Sequence, residues 1–230
     1  MALILNSRFC GNVYIIGCSG RIVLGEELRS MESELDLAVR DFSRVVLQIA
    51  EVDRLDSTAM GLLVRYAATT RKRGGDVRLA SPPPFIDNLL KITKLSSVLQ
   101  VYPSEEEAVL SFLKEPAPKA AHPPRGPRVL MVDESANVCV FVRTVLHEHG
   151  YDVRSTSSFR DARTLLQVEE VDYILVGPGN PQLSPETIME SLKKLAPRAA
   201  VFHLGTDYRQ RDAHEASHIL LRLFGITGHA

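Results

Sequence analysis

The segment Glu115–Arg128, EPAPKAAHPPRGPR, carries five prolines and no apolar periodicity. Proline donates no backbone hydrogen bond and clashes with the preceding helical turn, so neither a helix nor a central strand can run through this stretch. Its composition is that of a stiff linker. A chain of 230 residues interrupted in this way reads as two domains, each long enough to close its own core. The boundaries drawn from it are a first domain over 1–115, a linker over 116–127 and a second domain over 128–230.

Both halves alternate short apolar runs with amphipathic ones. Strands are predicted at Asn12–Cys18, Val45–Ile49, Asp76–Ala80 and Val98–Tyr102, with Ser19-Gly20 as a turn and Arg21–Leu24 as a short extended piece. Beyond the linker they are predicted at Val129–Val132, Tyr151–Arg154, Val171–Val176, Ala200–Leu204 and Ile219–Phe224. Helical spacing marks Gly25–Arg40, the stretch from Ala59 to Arg73, Phe85–Ile92, Ala108–Leu113, Val138–His149, Phe159–Leu166 and Pro185–Leu195. Asp207–Ala216 reads as a polar helix. Ser104 followed by Glu107 forms a capping box before the fourth helix. Such alternation gives an α/β fold with helices packed on a largely parallel sheet.

The composition narrows the function. Twenty-seven Lys and Arg against 28 Asp and Glu leave a net charge of −1, which excludes a chain-wide electrostatic grip on nucleic acid or an acidic membrane. No apolar stretch is long enough to span a bilayer, and the N-terminus lacks the basic region of a signal peptide. Cys10, Cys18 and Cys139 are scattered and odd in number, as reduced cytosolic thiols are. The expected location is the cytoplasm. Arg71-Lys72-Arg73 complements a helix C-terminus rather than a nucleic acid.

The chemistry-bearing stretch is Arg44–Arg65. An apolar strand hands over through Asp56-Ser57-Thr58 to a helix starting at Ala59. Backbone N–H groups and the helix dipole favour negative charge there, and Asp56 or Ser57 also suits an N-cap. His214-Glu215-Ala216-Ser217-His218 fits the HExxH pattern of zinc hydrolases. It falls where a helix is expected to end and a strand to begin, and the one later candidate ligand is His229. Metal catalysis is therefore not expected.

Five pieces in order resemble the STAS family, the sulfate-transporter and anti-sigma-factor-antagonist domain, over roughly residues 10–114. They are Ser19-Gly20-Arg21-Ile22, the strand Val45–Ile49, Asp56-Ser57-Thr58-Ala59-Met60-Gly61-Leu62-Leu63, Gly75-Asp76-Val77-Arg78-Leu79, and Val101-Tyr102-Pro103-Ser104-Glu105-Glu106-Glu107-Ala108. Ala59 stands where the family has its first glycine. The resemblance implies a mixed sheet with flanking helices, no enzymatic activity and no cofactor. It implies an anti-sigma factor antagonist whose partner is an anti-sigma factor Ser/Thr protein kinase. Ser57 would be the phosphorylation site, with Thr58 as the alternative, and Asp56, Ser57, Thr58 and Met60 would meet the partner. The unphosphorylated form would bind the kinase and release a sigma factor. The alternative is a regulatory or scaffold subunit of a transporter or stress-signalling complex.

Residues 127–226 resemble a response-regulator receiver, a flavodoxin-like fold with a parallel sheet. Val129–Glu134 matches its first strand and acidic pair, and Asp172–Val176 its third strand. Gly177 stands where the phospho-accepting aspartate belongs. Thr206 matches the hydroxyl position and Arg222 the lysine position, with the last helix absent or vestigial. The resemblance is therefore to a pseudo-receiver, serving self-association or contact with another protein. Asp133 and Glu134 are lesser candidates for a divalent cation, a solvated acidic rim being favoured.

Overall fold

The computed structural model describes residues 1–115, 126–178, 184–205, 208 and 213–226. The chain forms two compact units, Met1–Pro118 and Lys119–Ala230.

In the first unit, β1 (Ile4–Cys10) and β2 (Val13–Ile22) form an antiparallel hairpin. Gly11 opens its two-residue turn at φ 61°, the backbone geometry that glycine supplies most readily in such loops. Strands β3 (Arg44–Leu55), β4 (Asp76–Ala80) and β5 (Gln100–Tyr102) then add in parallel, giving the order β5-β4-β3-β2-β1. The sheet is thus mixed. Helices α1 (Glu26–Asp41), α2 (Ser57–Lys72) and α3 (Pro84–Ile92) connect the strands, and α4 (Glu105–Lys114) follows β5. Ile16, Leu47, Ile49 and Leu79 from the sheet meet Met31, Leu35, Leu63 and Leu90 from the helices in one core.

Two expectations fail here, both because a strand is longer than its apolar run. β2 passes through Ser19-Gly20 instead of turning, with register shifts at Gly17/Ser19 and Gly20/Arg21. β3 accordingly continues past Ile49 to Leu55. In that extension only Val52 and Leu55 are buried, while Ala50, Glu51, Asp53 and Arg54 are exposed. A half-solvated strand of this kind looks polar in sequence.

In the second unit, β6 (Arg128–Val132) pairs in parallel with both β7 (Asp152–Thr156) and β8 (Tyr173–Val176), and β8 pairs with β9 (Ala200–His203). The order is β7-β6-β8-β9. Helices α5 (Ala136–Glu148), α6 (Phe159–Leu166) and α7 (Pro185–Leu195) make the crossovers. The predicted last strand, Ile219–Phe224, is a correction: helix α8 spans Ala213–Leu223. Ala216 and Leu220 lie buried one turn apart, a helical rather than an alternating period. Phe224 follows the helix and packs its ring 5.0 Å from Tyr173, 5.1 Å from Tyr151 and 5.7 Å from Phe202. Arg222 therefore sits exposed on a helix, not at a strand end, and a closing helix is present. Among the described residues, no helix is long and apolar enough to cross a membrane.

Candidate functional site

The junction of β3 with α2 is built by one carboxylate. Asp56 is the N-cap of α2, with extended backbone (φ −96°, ψ 173°), and its Oδ1 accepts the N–H of Ala59 at 2.8 Å. Its Oδ2 accepts the N–H of Leu24, in the β2–α1 loop, also at 2.8 Å. Asp56 thus fastens two chain segments at one point. Desolvation pushes its carboxyl up, but N–H donors from Ala59, Leu24 and Thr58, with the nearby Arg54 charge, outweigh it and hold the group below the usual carboxylate range.

Ser57 and Thr58 open the first turn of α2, and both are exposed. Ser57 thus carries its hydroxyl at the first position of the helix. The first turn of α2 itself holds no acidic residue, and the capping Asp56 carboxylate is the charge that complements the positive end of the helix beside Ser57. Met60 does not join that surface. It is 8% exposed and belongs to the core, because it falls on the inward face of α2 with Ala59 and Leu63. The exposed apolar group tied to the junction is Leu24, 71% exposed. Sequence reasoning missed it, since nothing local marks an N–H that pairs with a carboxylate 32 residues away. Ala59, at the family's glycine position, is completely buried.

Residues 6–108 match the family model of the STAS domain. The N-terminal unit is a STAS domain. Two curated relatives named for anti-sigma factor antagonism are similar to 70 residues of this chain, one from Thermotoga neapolitana at 26% identity and one from Thermotoga maritima at 24%. Each alignment covers 30% of this chain, and the chain spans 62% of the length of those relatives. The crystal structure of an anti-sigma factor antagonist from Mycobacterium paratuberculosis is 18% identical, over 48% of this chain and 93% of its own, at a TM-score of 0.43. A likeness of that size carries no argument about function.

Beyond the STAS unit, the predicted acidic pair diverges. Asp133 is 3% exposed and accepts the N–H of Ser135 at 2.7 Å, while Glu134 is exposed. A Cβ placed on Gly177 would lie 2.0 Å from Asp133 Oδ2 and 2.6 Å from its Cβ. The Asp133 side chain occupies the space that a side chain at 177 would need. Among the described residues no three His, Cys, Asp or Glu side chains gather as a metal site, so Asp133 and Glu134 find no third ligand there. Thr206 and His229 lie outside the described residues. An open cleft at the N-terminal ends of β6 and β8 is lined by Arg128, Glu169, Asp172 and Arg198. It holds none of the predicted site residues, and Asp172 there already accepts the Arg128 N–H at 2.7 Å.

Proposed function

We propose that this chain is an anti-sigma factor antagonist switched by phosphorylation of Ser57. The observation that carries the reading is the exposed Ser57 hydroxyl at the head of α2 in a STAS domain. It is open to a kinase, and the carboxylate next to it is fully engaged by backbone. Asp56 then shapes the surface and takes no part in the transfer. The partner is an anti-sigma factor Ser/Thr protein kinase, which binds the unphosphorylated form and in doing so releases a sigma factor.

A phosphoryl group at Ser57 adds nearly two negative charges and three strong acceptors. On a surface that a partner must desolvate, such a charge is costly unless it is paired. Phosphorylation therefore ends the complex. The chain is a substrate here and not an enzyme. The second unit serves as a pseudo-receiver, a protein-contact module: with Asp133 in the acceptor's space, Gly177 marks a scaffold without phosphotransfer. The reading places both units in the cytoplasm.

Affinity capture with wild type, Ser57→Ala and Ser57→Asp tests the switch. The Ala variant is expected to retain the kinase and the Asp variant to lose it. Equal capture by both variants overturns the reading, and recovery of a transporter subunit in place of a kinase favours the scaffold alternative.

A further inference from the structure

The HExxH pattern changes meaning once its secondary structure is known. His214 and His218 do not straddle a helix end. Both lie inside α8, four residues apart, on one face of one turn. Both are exposed. Their ring centres are 4.5 Å apart, with the rings inclined at 64°.

That separation suits a shared ion. An imidazole nitrogen binds zinc at about 2.0–2.1 Å, and the ring centre lies roughly 1.1 Å further back, or about 3.2 Å from the metal. Two rings at a right angle around one ion then have centres about 4.5 Å apart, and at the tetrahedral angle about 5.2 Å. The observed 4.5 Å falls at the lower end of this span. His147 and His149 provide the contrast. They sit two positions apart near the end of α5, so their side chains leave the helix in different directions.

We propose that His214 and His218 form a bidentate site for a borderline divalent transition metal, the class that includes zinc, nickel and copper. Imidazole is the donor these ions prefer, whereas magnesium and calcium take oxygen. Two protein donors leave the remaining positions to water. Among the described residues no third ligand joins the pair, and what is proposed is binding of the ion by these two imidazoles. The site lies apart from Ser57 in sequence and in unit, and it stands whether or not the antagonist reading holds.

The test uses the full chain stripped with a chelator and titrated with Zn2+ against a competing chromophoric chelator. Wild type is expected to take up zinc through this pair, and His214→Ala or His218→Ala each to weaken it at least tenfold. His147→Ala, the surface control, leaves it unchanged. Copper-loaded protein provides a second readout: its electron paramagnetic resonance spectrum should show two coupled nitrogens in wild type and one in each single variant. Thermal melting of each apo variant confirms that the exposed substitutions leave the fold intact. Equal zinc affinity in wild type and the double variant overturns the site, as does a wild-type copper spectrum with a single nitrogen.

Discussion

Replacing Asp56 by asparagine separates the two jobs of that side chain. An asparagine oxygen can still accept from Ala59, because Asn caps helices about as well as Asp. Its amide nitrogen then faces the Leu24 N–H, 2.8 Å away in the native pairing, and two donors meet. The lost bond is to a charged acceptor, worth about 1.5–3 kcal/mol when dry. Leu24 is largely exposed, so water replaces part of it, and about 1–1.5 kcal/mol is expected. Asp56→Ala loses the cap as well, about 1 kcal/mol more. For a domain of this size each kcal/mol lowers Tm by about 4–8 °C.

The pH dependence provides a second check. The folded carboxyl lies below its ordinary range. Its contribution is therefore present above the unfolded pKa, about 3.9, and is lost as pH falls through the folded value. Wild type and Asp56→Asn should differ at pH 7 and converge at strongly acid pH. The assay is thermal melting across pH, with amide exchange at Leu24 as the local probe. Equal Tm values at pH 7, or a Leu24 amide equally protected in both proteins, would refute the fastening role.

Three other outcomes follow from packing. Gly177→Asp forces a carboxylate onto Asp133 at less than contact distance and should cost about 2–4 kcal/mol, seen as a lower melting point of the second unit. Arg78 is 2% exposed, with its guanidinium 3.6 Å from the Phe112 ring centre and Nη1 2.6 Å from Ser111 Oγ. Arg78→Ala should cost about 3–4 kcal/mol in denaturant unfolding, and Arg78→Met, which keeps most of the volume, clearly less. Burial, aided by the Glu34 charge, pushes the Cys18 thiol up to about 12, and Cys10 and Cys139 are buried too. Native protein at pH 8 should resist alkylation, and unfolded protein should take up label on all three cysteines, as read by mass spectrometry.

What the sequence disclosed depended on whether a signal was local. The capping box was readable because both partners sit within one turn, and Ser104 Oγ does accept the Glu107 N–H, at 3.1 Å. Asp56 was readable as a cap for the same reason. Its bond to Leu24 was not, since it joins segments far apart in sequence. Strand β1 went unseen because Ile4–Cys10 buries only Cys10 fully and shows no clean alternation. Arg78 lies within a predicted strand, yet its charge hides the fact that it is packed beneath α4. The last error was one of period. Ile219–Phe224 is apolar enough for a strand, and only the burial of Ala216 and Leu220 assigns it to a helix. Met60 failed for the related reason that a motif position does not reveal which face of its helix looks outward.

The filled space at Gly177 also constrains how this sequence can change over time. A mutation that supplies a carboxylate at 177 arrives in a lattice of atoms already closed by Asp133. A mutation that first removes the Asp133 side chain opens a void beside a buried glycine and releases the Ser135 N–H. Either single step descends in stability before a second can recover it. A carboxylate at this position is therefore separated from the present sequence by a valley in stability and not by one substitution.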